Sequence, residues 1–282
     1  MPVAPPLRSL EIDLPACPQV LVDLSLLLHD EGANTNRIGA LIEADMALAA
    51  AVVRSVNSAL FGLMRRVESV TEAVRYLGTR EVAMLTYEIG LRGAFPPMPL
   101  LDALWERASR RGLAMGRAAG VLDIDPWLAH SAGLFAECGQ AALVAHDADG
   151  YDAMVKRQPD ALARIDTEIA HYGVSHAALG GALCQAWGMA GEISETVRQR
   201  PLALATMVVP TATPLNPPAD DWQHEPPMVR KLMALMAAID LALAAADAAV
   251  LARACAELAR PAGVDAGLLQ QAAAAGVARV GG

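Results

Sequence analysis

Apolar residues at the three- and four-residue spacing of an α-helix recur along most of this chain. Leu21, Leu24 and Leu28 share one such face, and Val52 and Val56 share another. This spacing places an apolar stripe along one side of a helix, and the stripe must be buried against neighbouring elements. Alternating apolar and polar residues of β-branched type, which would indicate strands, are scarce. The pattern therefore predicts an all-α fold.

The composition agrees with helices packed around an aliphatic core. Hydrophobic residues make up 54% of the 282 residues, but aromatic residues only 4%. A chain of this length buries enough surface to fold without disulfides or a structural metal. The cysteines are widely separated and form no Cys-x-x-Cys pair, so we expect free thiols in a reducing cytoplasm. They are Cys17, Cys138, Cys184 and Cys255.

The charge balance argues against several partner classes. The formal net charge is −9, and an acidic surface repels phosphate backbones, so we expect no nucleic-acid partner. The first residues lack the pattern of a signal peptide, and no run of about 18 apolar residues predicts a membrane span. We expect a soluble cytoplasmic protein that does not contact a membrane.

Proline-rich stretches divide the chain into predicted segments. Residues 1–13 are predicted to be extended, 14–95 an N-terminal subdomain of five short helices, 96–205 a second helical subdomain, and 206–282 a proline-rich loop with C-terminal helices. Within the second subdomain, the pattern predicts one helix over residues 127–145 and a turn after it. Trp222 is expected in a surface loop.

Capping residues mark the helices of the first subdomain. Asn34 or Thr35 and then Asp45 are suited to cap the second and third helices. Ser69 and Glu72 have the spacing of a capping box. Gly78 is expected to end the helix that this box begins, and Thr79 to cap the next.

Most catalytic signatures are absent, including glycine-rich phosphate loops and zinc-protease motifs. The doublet His146-Asp147 has the residue types of a divalent-metal site, but a helix-terminal histidine before a turn aspartate is the ordinary interpretation. His171 and His176 flank Gly173 at a turn between helices. His176 could cap the following helix or line a cleft.

One long stretch carries a specific resemblance. Residues 57–62 read Asn-Ser-Ala-Leu-Phe-Gly, and residues 69–78 read Ser-Val-Thr-Glu-Ala-Val-Arg-Tyr-Leu-Gly. Both resemble motifs of the HDOD (HD-related output domain) family, and similar landmarks follow in order over roughly residues 10–205. These landmarks are Leu14-Pro15, residues 42–45, Leu104-Trp105, residues 132–134, Gly139, residues 176–180 and residues 186–188.

The resemblance implies an HD-domain-like helical fold whose C-terminal subdomain is a degenerate version of metal-dependent phosphohydrolases. Those enzymes need a histidine, an adjacent His-Asp pair and a further carboxylate to hold cations. Aligned by its landmarks, this chain has Arg107 at the first histidine and Ala136-Glu137 at the His-Asp pair. We therefore expect no catalytic residues, no metal and no cofactor, and we expect Arg107 to pair with Glu137.

The resemblance implies a non-catalytic bacterial regulatory protein that acts in signal transduction by binding other signalling proteins. A homodimer formed through the apolar C-terminal helices is a further expectation. The alternatives are a sensor that binds a nucleotide or cyclic dinucleotide, or a phosphohydrolase with unrecognised ligands such as His146, Asp147 and His176. The candidate ligand- or partner-binding residues, several of which could instead only shape a helical corner, are Arg54, Asn57, Ser58, Phe61, Arg65, Arg66, Arg107, Glu137 and His176.

Overall fold

The structure is a computed structural model that describes residues 12, 14–28, 34–58, 65–205, 221–244 and 247–278. All the regular elements within these ranges are helices, as the sequence predicts. No helix in them is long and apolar enough to cross a lipid bilayer. The chain divides into two compact units, one of residues 15–97 and the other of residues 98–281 together with residues 12 and 14.

The first unit contains the five predicted short helices. They are α1 (Gln19–Leu28), α2 (Thr35–Glu43), α3 (Met46–Val56), α4 (Val70–Leu77) and α5 (Thr79–Gly93). Leu21, Leu24, Ile42 and Val52 are completely buried, which confirms the helical periodicity of these segments. Tyr87 ties the last helix to the first, because its hydroxyl donates to the carbonyl of Leu21 at 2.7 Å.

The predicted caps of this unit are confirmed with two corrections. The side chains of Asn34, Asp45 and Ser69 accept backbone N–H groups at the starts of α2, α3 and α4. Glu72, however, accepts from the N–H of Glu68 and not from that of the cap residue. Thr79 is the first residue of α5 and not its cap. The single residue Gly78, with a φ of 91°, separates α4 from α5 and is the cap residue of both helices.

The second unit contains ten α-helices in its described residues. They are α6 (Pro99–Ala118), α7 (Pro126–Phe135), α8 (Cys138–His146), α9 (Ala148–Arg157), α10 (Ala161–Tyr172), α11 (His176–Ala186), α12 (Gly191–Ala205), α13 (Pro227–Leu243), α14 (Ala248–Ala262) and α15 (Ala266–Ala278). Short 3-10 helices cover Ala119–Leu122 and Asp221–His224.

Two sequence predictions about helices α7 to α9 are wrong. The single helix predicted over residues 127–145 is two helices, α7 and α8, with a break at Ala136 and Glu137. The turn predicted after His146 is the start of α9, which the side chain of Asp147 caps by accepting from Gly150 N. The sequence of α9 is mostly polar, and only Tyr151 and Met154 of this helix are buried. The apolar spacing therefore did not indicate a helix there.

The C-terminal helices are part of the second unit. Helix α13 packs on α12, and α15 packs on α6, where Gly276 lies so close that an added Cβ would approach Ala114 O within 2.5 Å. Trp222 is fully buried, which corrects its predicted place in a surface loop. Because most apolar residues of α13 are buried inside the unit, a homodimer through these helices would have to use their exposed positions, and it stays a prediction.

Candidate functional site: a buried ring of ion pairs

Glu137 lies in the break between α7 and α8, and its side chain is almost completely buried. Burial of a carboxylate is unfavourable unless cations and hydrogen-bond donors compensate for the lost water. The compensation comes from arginines on two other helices. Arg111 of α6 donates from Nη2 to Glu137 Oε1 at 2.8 Å, and Arg200 of α12 donates to the same oxygen at 3.1 Å.

A second carboxylate closes this arrangement into a ring. Asp240 of α13 accepts from Arg111 Nε at 2.5 Å and from Arg200 Nη2 at 3.3 Å. Each of the four side chains therefore contacts two side chains of opposite charge, and the four charges sum to zero. We call Arg111, Glu137, Arg200 and Asp240 the ion-pair ring. The ring connects four segments of the unit at one buried point.

The electrostatic effect of the ring is clear at Glu137. Burial alone would raise the pKa of this carboxyl group, but the guanidinium groups of Arg200, Arg111 and Arg107 outweigh burial and lower the pKa to about 2. Burial acts against the charge of Arg111 in the same way. The carboxylates of Asp240 and Glu137 nevertheless raise the pKa of Arg111. Glu137 and Arg111 are therefore both ionised throughout the neutral pH range.

Arg107 contacts Glu137 as the sequence predicts, with Nε at 3.8 Å from Oε1. It is the outermost member of the site, because its side chain is 54% exposed and its contact is the longest of the three. Arg111, Arg200 and Asp240 were not predicted from the sequence. The position of Arg111, one helical turn after Arg107 on the same helix, was the only local signal that could have indicated a second arginine facing Glu137.

The side chains around Glu137 do not suit a divalent cation. Three guanidinium groups approach the same carboxylate oxygen, and like charges at this distance would repel a bound metal ion. Ala136, the preceding residue, has no donor atom in its side chain. Chemically, the arrangement can hold helices together and present one half-exposed guanidinium to an anion.

A second buried polar cluster centres on Glu168 of α10. Its oxygen Oε1 accepts from Tyr151 Oη at 2.8 Å and from Arg164 Nε at 3.1 Å. Its oxygen Oε2 accepts from the backbone N–H of His176 at 2.8 Å and lies 2.7 Å from His176 Nδ1. Burial would raise the pKa of Glu168, but the bonds from His176 lower it.

His176 therefore has a clear structural role. It is the first residue of α11 and not its cap, since Ser175 Oγ accepts from Ala178 N in that position. Glu168 fixes the orientation of the imidazole ring through Nδ1. The other ring nitrogen, Nε2, is buried and has no hydrogen-bond partner among the described residues.

The structure explains the His146-Asp147 doublet as two helix ends. His146 is the exposed last residue of α8, and the capping Asp147 also accepts from Tyr172 Oη at 3.2 Å. His171 is exposed and stacks edge-on against Tyr172, with ring centroids 4.6 Å apart. Gly173 ends α10 with a φ of 74°, a conformation that glycine adopts readily.

The remaining candidates belong to the first unit. Asn57 ends α3, and its side chain makes two 2.9 Å hydrogen bonds, one to the N–H and one to the carbonyl of Val67. This clamp holds the end of α3 beside Val67 and gives Asn57 a structural role. Arg65 pairs with Glu72 at 3.3 Å on the surface, where such pairs contribute little.

Arg54, Ser58 and Arg66 are exposed, so their side chains are accessible. Phe61 lies outside the described residues. A role of these side chains in binding a partner stays a prediction.

Comparison with known proteins identifies the family. The sequence profile of the HDOD domain matches residues 14–201, about two thirds of the chain. The chain belongs to the HDOD family. The matched region includes Arg107, Arg111, Glu137 and Arg200, whereas Asp240, which completes the ion-pair ring of this HDOD protein, lies beyond it.

A curated relative is an uncharacterized protein of Treponema pallidum strain Nichols, which is 27% identical over 199 residues. The match covers 66% of this chain but only 37% of that relative, so this chain spans little more than a third of the relative's length.

Solved structures share the HD-like helical fold. An HDOD domain protein of unknown function from Geobacter sulfurreducens has a TM-score of 0.61 at 18% identity, covering 92% of this chain and 88% of its own. A "Putative signal transduction protein" from Marinobacter aquaeolei VT8 has a TM-score of 0.68 at 21% identity, covering 96% and 60%. A "Putative phosphohydrolase" from Shewanella amazonensis SB2B has a TM-score of 0.67 at 19% identity, covering 95% and 94%.

Proposed function

We propose that this HDOD protein is a non-catalytic bacterial regulator that acts in cytoplasmic signal transduction by binding other proteins. The observation that carries the proposal is the set of arginines around Glu137. The resemblance to HD-type enzymes implies that Arg107, Ala136 and Glu137 stand at the positions of the metal ligands of those enzymes. In this chain, the one carboxylate at those positions is that of Glu137, and three arginine side chains surround it: Arg107, Arg111 and Arg200.

The chemistry of HD-type hydrolysis supports this conclusion. Such enzymes use imidazole and carboxylate ligands to hold cations that activate water and neutralise phosphate charge. A guanidinium group supplies a fixed positive charge but cannot lower the pKa of a bound water as a metal does. The arginines around Glu137 thus supply positive charge but no means of generating a nucleophile.

A sensor that binds an anionic ligand, such as a nucleotide or cyclic dinucleotide, is the second candidate. One observation favours it: the buried N–H groups of Arg111 Nη1 and Arg200 Nε have no acceptor among the described residues. Against it, Glu137 Oε2 is buried beside them and would repel a phosphate. The half-exposed Arg107 is the residue that such a ligand would meet first.

The test combines metal analysis with turnover and thermal-shift assays on the full chain. The protein is incubated with manganese, iron or zinc, desalted, and analysed for bound metal. It is then assayed on nucleotides and phosphodiesters. We expect neither stoichiometric metal nor turnover. Stoichiometric metal, with turnover that Glu137→Gln abolishes, would contradict the proposal and support a hydrolase.

The thermal-shift assay uses a panel of nucleotides and cyclic dinucleotides. A ligand at 100 times its Kd stabilises the folded chain by about 2.7 kcal/mol, which is readily detected as a rise in Tm. We expect no shift. A shift that Arg107→Ala removes, while Arg54→Ala in the first unit retains it, would favour the sensor instead.

A further inference from the structure

One stretch of the first unit is rich in arginine, although the chain as a whole is acidic. Residues 54–76 contain four basic residues, all of them arginine, and two acidic ones, which gives a net charge of +2. The formal net charge of the whole chain is −9. All four arginines are exposed on the surface of the unit. They are Arg54, Arg65, Arg66 and Arg75.

Contacts between the segments bring these arginines to one corner of the unit. Arg54 lies one helical turn before Asn57, whose two hydrogen bonds hold the end of α3 beside Val67. Arg65, two residues before Val67, in turn reaches α4, because its Nη2 lies 3.3 Å from Glu72 Oε1. The arginines of α3, of the segment before α4 and of α4 itself therefore lie on the same part of the surface.

Helix α4 adds an aromatic side chain to this corner. Arg75 and Tyr76 follow Glu72 by three and four residues, so they lie on the same side of α4. Tyr76 is 55% exposed, and it is the only exposed one of the chain's four tyrosines, all of which the structure describes. Arginine and tyrosine are residue types that are enriched at binding hot spots. We call Arg54, Arg65, Arg66, Arg75 and Tyr76 the arginine corner.

The glutamate of α4 does not use up the binding capacity of the corner. Oε1 of Glu72 contacts Arg65, and Oε2 accepts from the backbone N–H of Glu68 at 2.9 Å. The side chain of Arg65 is nevertheless 72% exposed. A guanidinium group carries five N–H donors, so Arg65 has donors left for a second carboxylate.

The charge of the arginine corner restricts what can bind to it. Guanidinium groups bind carboxylates through pairs of parallel hydrogen bonds, so a surface with several aspartates or glutamates is complementary. A nucleic acid is a poorer match, because its phosphates would continue beyond the corner across a chain with a net charge of −9. The exposed Glu68, which lies among the arginines, would also repel a phosphate backbone.

We propose that the arginine corner binds an acidic segment of a partner protein, with carboxylates on the four arginines and an apolar side chain against the ring of Tyr76. This inference rests on the protein-binding role proposed above and names the surface and the chemistry of the partner. Asn57 keeps its structural role, since its clamp holds the corner together. Because the ion pairs form at an exposed surface, the contact is transient and weakens as salt is added.

The test uses the full chain and two labelled peptides of equal length. Both peptides contain one leucine among serines and glycines. They differ only at four positions, one for each arginine, which are glutamate in one peptide and glutamine in the other. Fluorescence anisotropy at low and at physiological salt concentration measures their affinity for the wild type and for three variants: Arg66→Glu, Tyr76→Ala and Arg157→Glu.

We expect saturable binding of the glutamate peptide with a Kd below about 1 mM, and binding of the glutamine peptide that is at least about fivefold weaker. Arg66→Glu should weaken binding roughly three- to tenfold, because it removes one exposed ion pair and adds a like charge. Tyr76→Ala should weaken it at least about fivefold, as loss of an aromatic hot spot does. Arg157→Glu is the matched control: it makes the same change in net charge at an exposed position of α9, and it should leave the affinity unchanged.

Four results would overturn the inference. They are equal binding of the two peptides or binding of neither, equal weakening by Arg66→Glu and Arg157→Glu, tighter binding of a single-stranded DNA oligonucleotide than of the glutamate peptide, and a wild-type dimer in sedimentation experiments that Arg66→Glu dissociates. All variants replace exposed side chains, and circular dichroism checks that they remain folded. Failure here leaves the metal and turnover results untouched, so it is distinguishable from failure of the proposed function.

Discussion

Replacing Glu137 by glutamine tests whether the ion-pair ring stabilises the second unit. The substitution keeps the size of the side chain but removes the charge that Arg111 and Arg200 share. A pKa lowered from 4.5 to about 2 corresponds to about 3 kcal/mol of unfolding free energy, at about 1.4 kcal/mol for each pKa unit. Loss of one partner from a buried ion pair costs a similar amount, about 3–5 kcal/mol.

The fluorescence of tryptophan provides a selective assay. All four tryptophans, Trp105, Trp127, Trp187 and Trp222, lie between residues 98 and 281, so their emission reports the second unit alone. A loss of about 3 kcal/mol should lower the Tm of a unit of this size by roughly 6–12 °C. Asp152→Asn is the matched control. It removes a carboxylate from the exposed pair with Lys156 and should cost less than about 1 kcal/mol.

The same variant should change the response to acid. Because the pKa of Glu137 is lowered in the folded state, its contribution is fully present above pH 4.5 and is lost as the pH falls towards 2. The unfolding free energy of the wild type should therefore fall over this range, and that of Glu137→Gln should fall less steeply. If both chains lose stability equally between pH 4.5 and 2, the ring is not the source of the acid sensitivity.

Two further substitutions test close packing and the clamp that Asn57 forms. Gly139→Ala would place a Cβ within 1.9 Å of the backbone carbonyl of His176, so we expect the second unit to lose several kcal/mol or fail to fold, as measured by tryptophan fluorescence. Gly191→Ala, at the first position of α12 and with nothing within 4 Å of an added Cβ, should be neutral or stabilising in the same assay. Asn57→Ala removes both hydrogen bonds of the clamp and should cost about 1–3 kcal/mol in urea melts followed by hydrogen exchange of the first unit. The exposed Arg54→Ala should change stability by less than about 0.5 kcal/mol, and equal effects of both substitutions would contradict a structural role for Asn57.

Local sequence signals predicted most of the helices because the residues that begin and end a helix lie within it or next to it. Periodic apolar residues and short polar caps act within one or two turns, so α2, α3, α4 and α10 could be placed closely from the sequence. The break at Ala136 and Glu137 has no such signal, since these two residues are themselves good helix formers. It depends on the burial of Glu137 against Arg111, which a local pattern does not contain.

The candidate site also depends on contacts between residues far apart in the sequence, which a local pattern does not predict. The resemblance implies which positions correspond to the metal ligands of HD-type enzymes, so Arg107 and Glu137 could be paired from the sequence. Arg200 and Asp240 lie 63 and 103 residues beyond Glu137, and Asp240 lies outside the matched family region. Whether a given arginine lies next to a buried carboxylate depends on how the helices cross. That crossing is a property of tertiary packing.

Helix α10 illustrates a case where the apolar pattern does not predict which residues are buried. Its spacing predicts a helix correctly, but the rule that aliphatic residues face the core would not select Arg164 and Glu168 as the buried residues. The core accommodates these two side chains because Tyr151 and His176 satisfy both oxygens of Glu168. A buried carboxylate of this kind is stable only when it is paired, and that pairing fixes the orientation of the helix. The partners Tyr151 and His176 lie on α9 and α11, so the orientation of α10 depends on neighbouring helices and not on its own sequence alone.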